Sequence, residues 1–182
     1  MPKLMWLDLE TTGRDPQKHQ VLEVALWVAD LSAPFEAAPV YQSVVYFSRS
    51  SWGLLEDDRV LEMHTKNGLL VECARGRAPG LELVEHLLLQ HVPEEKEREA
   101  MPVLAGSSIH FDHSFIKVHM PKVDARLSHR HYDVSGLKLF CQSMGMPKFR
   151  KAEAHRAAAD VAESISHGVE CERWLRNNMR PL

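Results

Sequence analysis

No apolar run in this chain of 182 residues approaches the roughly 20 residues a helix needs to cross a hydrocarbon core. The N-terminus also lacks the charged-then-apolar order of a signal peptide, so a cytoplasmic protein without a membrane span is expected. Cysteine is scarce: Cys73, Cys141 and Cys171 lie far apart and form neither a CxxC pair nor an even set. That excludes a disulfide framework and leaves them as thiols of a reducing compartment. Positive charge is not in surplus either, with 22 Lys and Arg against 25 Asp and Glu. The chain therefore lacks the broad basic field that grips long nucleic acid, although a short one held through metal ions and a few donors stays compatible. Repeats and low-complexity stretches are missing as well.

What is present is ordinary globular composition, 45% apolar and 26% charged, in a length that suits one core. One domain over residues 1–182 is expected. Leu4 to Leu9, Val21 to Leu31, Val40 to Phe47 and Pro102 to Gly106 read as strands, the first two paired across the turn residues Thr11 to Pro16. Helical spacing runs from Trp52 to His64, from Leu81 to Leu88, from about Phe111 to His119 behind Ser107 and Ser108 as caps, from Ser135 to Met144, and from about Ala154 to Leu175. Glu94 to Glu99 is a solvated connection. Strands first and helices interleaved later predict an α/β layer fold with a mixed sheet.

Asp8 and Glu10 stand two apart on the first strand, so both carboxylates point to one face. Such a pair repels unless a cation or proton neutralises it, and oxygen ligands of this kind suit Mg²⁺ or Mn²⁺; an exposed acidic strand end is an equal reading of the pair alone. Asp112 opens a helix, where the helix dipole by itself accounts for a carboxylate. Asp160 sits among Ala157, Ala158, Ala159, Val161 and Ala162, poor company for a solvated acid. His155 precedes it by five residues, about 140° around an ideal helix, so His155 is expected at the entrance to the helix rather than within it.

Asp-Leu-Glu-Thr-Thr-Gly at positions 8 to 13, Asp112, and His155 with Asp160 in a His-x-Ala-x-x-Asp pattern resemble the motifs of the DEDDh exonucleases. Within that group the chain is most similar to the oligoribonucleases, through Met63 to Leu69 (Met-His-Thr-Lys-Asn-Gly-Leu), Leu104 to Ile109 (Leu-Ala-Gly-Ser-Ser-Ile) and His129 to Ser135 (His-Arg-His-Tyr-Asp-Val-Ser), in the family's order from about Lys3 to Trp174. The resemblance implies a ribonuclease H-like fold and a two-metal hydrolase that removes nucleotides from the 3′ ends of short RNAs. Asp8, Glu10, Asp112 and Asp160 would hold two divalent ions, Mg²⁺ or Mn²⁺, and His155 would take the proton of the attacking water. A homodimer is implied too, with the segment around His129 reaching the neighbouring site.

The same resemblance assigns Ser108, Arg130 and Ser135 to a cap on the 5′ phosphate of a dinucleotide, and His64 to the substrate's side. Helix caps and a surface ion pair are the plainer readings of Ser108, Ser135 and Arg130 taken alone. Four positions depart from the family. Arg14 and Arg59 replace the Leu and Trp that wedge the bases, where a planar cation can stack on a base or meet a phosphate, and Trp52 is a candidate substitute. Gly136 removes a threonine hydroxyl of the cap and His129 replaces a tyrosine. Two other readings use the same residues: a DEDDh enzyme trimming DNA or longer RNA, and a catalytically silent nucleic-acid-binding protein. A zinc site from His110, His113, His119, His129 and His131 is a third, weaker for want of Cys partners or an HExxH pattern.

Overall fold

The computed structural model describes residues 3–29, 39–54, 58–149 and 155–178. Strand β1 (Leu4–Thr11) is flanked by β2 (Val21–Ala29), antiparallel to it, and by β4 (Val103–Gly106), parallel to it. β3 (Tyr41–Val44) extends the β2 edge and β5 (His131–Asp133) the β4 edge, giving the order β3-β2-β1-β4-β5. The mixed sheet expected from sequence is therefore present, with the β1–β2 pairing as read. The helices are α1 (Asp58–Lys66), α2 (Leu69–Cys73), α3 (Leu81–Leu89), α4 (His110–His119), α5 (Pro121–Asp124), α6 (Val134–Ser143) and α7 (Ala157–Asn178), with a 3-10 turn at Arg49–Leu54.

Alternation along β1 sorts its side chains onto two sides. Met5, Leu7 and Leu9 pack with Val84 and Leu88 of α3, Phe115 and Ile116 of α4 and Val123 of α5. Leu4 and Trp6 pack instead with Val134 of α6 and with Val161 and Ile165 of α7. Gly168 lets α7 lie close, because a Cβ there would stand 3.1 Å from the Trp6 ring. The second row continues, two residues at a time, into Asp8 and Glu10.

Several local expectations change. The strand expected from Val40 to Phe47 is shorter, running Tyr41–Val44, and the helical stripe from Trp52 divides into the 3-10 turn and α1. Leu55, residues 30 and 31 of the expected second strand, and Ala154 at the expected start of the last helix lie outside the described residues. Ser107 and Ser108 do not cap α4: Ile109 holds the N-cap position with no side-chain bond, and Ser108 adopts φ 55°. α6 is capped by Asp133, which accepts from the amides of Ser135 and Gly136. Short elements α2, α5 and β5 carry too few residues for a periodic signal and went unread.

Candidate active site

The acidic end of β1 meets the first turn of α7. One carboxylate oxygen each from Asp8, Glu10 and Asp160 lie within 4.8 Å of one another. Asp112 arrives from the first turn of α4 and is almost fully buried. β4 pairs with β1 only as far as Trp6 and Ala105, so the Leu9 amide beyond it is open and donates to Asp112 Oδ1 at 2.9 Å. Four carboxylates from three separate stretches of the chain thus crowd one end of the sheet.

Crowding and burial both resist ionisation. Burial first, then the charges of Asp112, Glu10 and Asp160, holds Asp8 well above the usual carboxylate range. Glu10 is pushed up to about 8, by burial and then by Asp160 and Glu23, and it shares a hydrogen bond with Asp160. Asp112 rises to about 7 through burial, opposed by the Leu9 amide bond. Hard oxygen donors so close together, each reluctant to carry its charge alone, fit a divalent cation of the Mg²⁺ or Mn²⁺ type.

His155 sits two residues ahead of α7 with φ 45°, outside the helix as the spacing requires. It lines a cavity of about 460 Å³ together with Asp8, Asp160, Ser108, Ser135 and Lys138. The Ser108 and Ser135 hydroxyls are hydrogen-bonded at 3.0 Å, so two of the three expected cap residues do meet. Arg130 does not join them; it is exposed and outside the cavity wall, where Lys138 and Lys148 supply the positive charge. His129 is exposed as well.

A second cavity, about 280 Å³, opens beside Glu10. Arg14, Arg59 and His64 line it, with Met63 and Phe111 as its apolar wall. His64 has no exposed surface: its Nε2 lies 3.1 Å from the Thr11 carbonyl oxygen and 3.7 Å from Glu10 Oε2, and burial keeps its pKa below the ordinary value. Trp52 is elsewhere, packed against the cluster of Leu22, Phe47 and Leu69, and does not replace the missing wedge.

The histidines do not gather for zinc. Among the described residues the one grouping of three potential ligands is Asp8, Glu10 and Asp160. His113 is spent on Asp124 at 2.7 Å and on His131 at 2.8 Å.

Sequence reasoning missed the surroundings. Glu23, fully buried on β2, is a charge inside an otherwise apolar strand, and that contrast was the available signal. Arg156, which pairs with it, gave none beyond adjacency to His155. Phe111, next to Asp112, could have been noted as an aromatic flanking a predicted ligand. Lys138 is one helical turn from Ser135, a spacing that places both on one face.

Residues 5–166 match the family model of the RNase_T exonucleases. An oligoribonuclease of Corynebacterium diphtheriae is 36% identical over 90% of this chain and 78% of its own length. One of Chromobacterium violaceum is 33% identical over 89% of each. Solved structures of similar fold include E. coli Exonuclease I in complex with a dT13 oligonucleotide, with a TM-score of 0.67 and 13% identity, of which this chain spans 42%. Another is S. pombe Pop2p in its Mg²⁺ and Mn²⁺ bound form, with a TM-score of 0.61, 14% identity and 83% of that chain spanned. At these identities the structures speak to the fold, which is the ribonuclease H-like exonuclease architecture expected above.

Proposed function

Because this chain belongs to the oligoribonuclease family of exonucleases, we propose that it degrades short oligoribonucleotides, dinucleotides foremost, from the 3′ end to 5′-mononucleotides by two-metal hydrolysis. The observation that carries this reading is the convergence of Asp8, Glu10 and Asp160, two of which, Asp8 and Asp160, line one cavity with His155.

Asp8, Glu10, Asp112 and Asp160 are the residues that would hold the ions. Bound there, two divalent cations would balance the charge that develops on the attacking and departing oxygens of an in-line displacement. An unprotonated ring nitrogen of His155 accepts the proton of the attacking water. The Ser108 and Ser135 hydroxyls, with the Lys138 ammonium on the same wall, would receive a 5′-terminal phosphate, a reading supported by their shared cavity. On the other side of Glu10, Met63 and Phe111 offer apolar faces for a base, while Arg14 and Arg59 add planar cations at the groove. His64, held at the Thr11 carbonyl oxygen beside Glu10, would meet the substrate from the floor of that groove. Arg130 reaches the phosphate only through a side-chain rearrangement on binding.

The chain 1–182 is read as a single exonuclease domain, supported by one continuous sheet with helices on both sides. A homodimer is supported by Leu139, Phe140 and Met144, large apolar residues exposed in and just after α6, beside the cavity that holds Ser135. Among the described residues no helix is long and apolar enough to cross a membrane. Three free, buried cysteines suit a cytoplasmic setting.

The deciding experiment compares a 5′-phosphorylated diribonucleotide, a labelled seven-nucleotide RNA and DNA of the same two lengths, each with Mg²⁺ or Mn²⁺. Faster hydrolysis of the diribonucleotide, yielding 5′-mononucleotides, supports the reading. Equal rates on both RNA lengths discard strict dinucleotide selection, and preference for DNA favours a DNA-trimming relative. No cleavage with either metal would leave a silent binding protein.

A further inference from the structure

His155 holds φ 45°, the left-handed region that a residue with a Cβ seldom occupies, at the point where the chain enters α7. A conformation of this kind persists only where neighbours over-determine it, and here they do. On the N-terminal side of α2, the Asn67 side chain turns both of its polar atoms to use: Oδ1 accepts from the Leu69 amide at 3.0 Å, and Nδ2 donates to the His155 carbonyl oxygen at 2.6 Å.

The next residue is fixed more heavily. The Arg156 guanidinium donates to Glu23 through Nε at 3.0 Å and Nη2 at 2.9 Å, and to Glu72 of α2 through Nη1 at 3.3 Å and Nη2 at 2.9 Å. The amide of Ala157 donates to the same Glu23 at 3.1 Å, so one buried carboxylate serves both the guanidinium and the open N-terminus of α7. Glu23 belongs to β2 and faces Glu10 across the strand pair. His155 is therefore suspended between two anchors: a carbonyl held by Asn67 ahead of α2 and a following residue bolted to the central sheet beside the acidic cluster.

We propose that Asn67 and Arg156 are positioning residues for His155: they impose its left-handed backbone so that the ring stands in the same cavity as Asp8 and Asp160. This rests on the role of His155 as the proton acceptor given above. Neither side chain lines that cavity or the groove beside Glu10. Their effect on turnover runs through the orientation of one imidazole.

The cleanest variant is Asn67→Asp, which keeps the acceptor for the Leu69 amide and removes the donor to His155. Arg156→Gln is its partner, and Arg156→Lys asks whether charge without the planar fork suffices. Each is measured on the diribonucleotide at saturating Mn²⁺, alone and combined with His155→Ala, with melting temperature followed throughout. Expected is a fall in kcat of about tenfold for Asn67→Asp with KM within about twofold, and no further fall when it is added to His155→Ala. Arg156→Gln follows the same pattern, with Arg156→Lys in between.

If Arg156→Gln does not fold, Asn67→Asp decides alone. A loss of equal size in both backgrounds, or no loss in the wild-type background, overturns the proposal. The ¹H–¹⁵N resonances of the His155 ring give a readout independent of activity: Asn67→Asp shifts them, and unchanged resonances also overturn it. Absence of nuclease activity in the wild type would remove the proposed function, and the ring resonances would still report on the clamp.

Discussion

Glu10 and Glu23 stand in register across β1 and β2, on the same side of the sheet, and only Glu10 joins the acidic cluster. Arg156 holds the Glu23 carboxylate at 2.9 Å, yet Glu23 still adds to the negative charge that raises Glu10, so the cluster remains unbalanced. The site is thus arranged to be incomplete without a cation, and the consequences are measurable.

Stability of the metal-free protein should fall with rising pH. Glu10 titrates at about 8 in the folded chain against an ordinary 4.5. Between those values the folded chain keeps a proton that the unfolded chain has released, so each step up in pH favours unfolding until the folded value is passed. Burial of Asp8 and Asp112 adds in the same direction. The melting temperature, followed by circular dichroism in EDTA, should drop from pH 5 to pH 8. Saturating Mn²⁺ should flatten the slope, and a rise across this window would be inconsistent with buried, crowded acids.

Neutralising one carboxylate should separate activity from stability. Asp8→Asn should lower kcat by ~10²–10³-fold or more, while raising the melting temperature of the metal-free protein at pH 8. The two effects have one cause, the loss of a like charge that only a cation could offset. Parallel losses of activity and stability would instead identify Asp8 as a structural residue.

Phe111 should matter for binding rather than turnover. It lines the groove beside Glu10 and packs on Phe115 with the rings tilted and their centroids 5.2 Å apart. Phe111→Ala should raise KM for the diribonucleotide by roughly tenfold, the size of one lost base stack, with a smaller change in kcat; Phe111→Trp should preserve KM. An unaltered KM in Phe111→Ala would place the base elsewhere.

Gly106 ends the strand beside Asp8, and a Cβ there would sit 2.9 Å from the Leu7 carbonyl oxygen, a backbone atom that cannot swing aside. Gly106→Ala should cost about 1–3 kcal/mol in urea unfolding, as other forced overpacking does. Neutral behaviour would mean that β4 can shift without harm.

A pair of substitutions on the outer side of α6, Leu139→Glu with Phe140→Glu, should convert a dimer to a monomer in light scattering. Both residues are largely exposed, at 70% and 52%, so the chain itself should still fold. A wild-type monomer at micromolar concentration would end the dimer proposal at once.

The central strands were legible because each carries a continuous apolar or alternating run, Asp8 and Glu10 because their two-residue spacing on a strand survives, and Asp112 only through the resemblance. His155 was expected at the entrance to α7 because it and Asp160 stand too far apart around a helix to share one site, and it does precede α7, although the helix expected from about Ala154 would have included it. What escaped the sequence were relations made by folding: Asp133 capping α6 in place of Ser135, Ser108 turning to Ser135 instead of closing α4, and the Glu23–Arg156 pair that bridges residues far apart in the chain. Arg130 shows the opposite limit. Its place at the motif position of a phosphate ligand does not by itself bring it into the cavity wall, since the motif fixes a place on the chain but not the conformation of a long, exposed side chain.

Diffraction from crystals grown with Mn²⁺ and a non-hydrolysable diribonucleotide, collected at the manganese absorption edge, bears most directly on the acidic cluster. Two anomalous peaks ligated by Asp8, Glu10, Asp112 and Asp160, with the scissile phosphate between them and His155, are the expected result. A site that stays free of metal, or a phosphate bound away from these carboxylates, would contradict it.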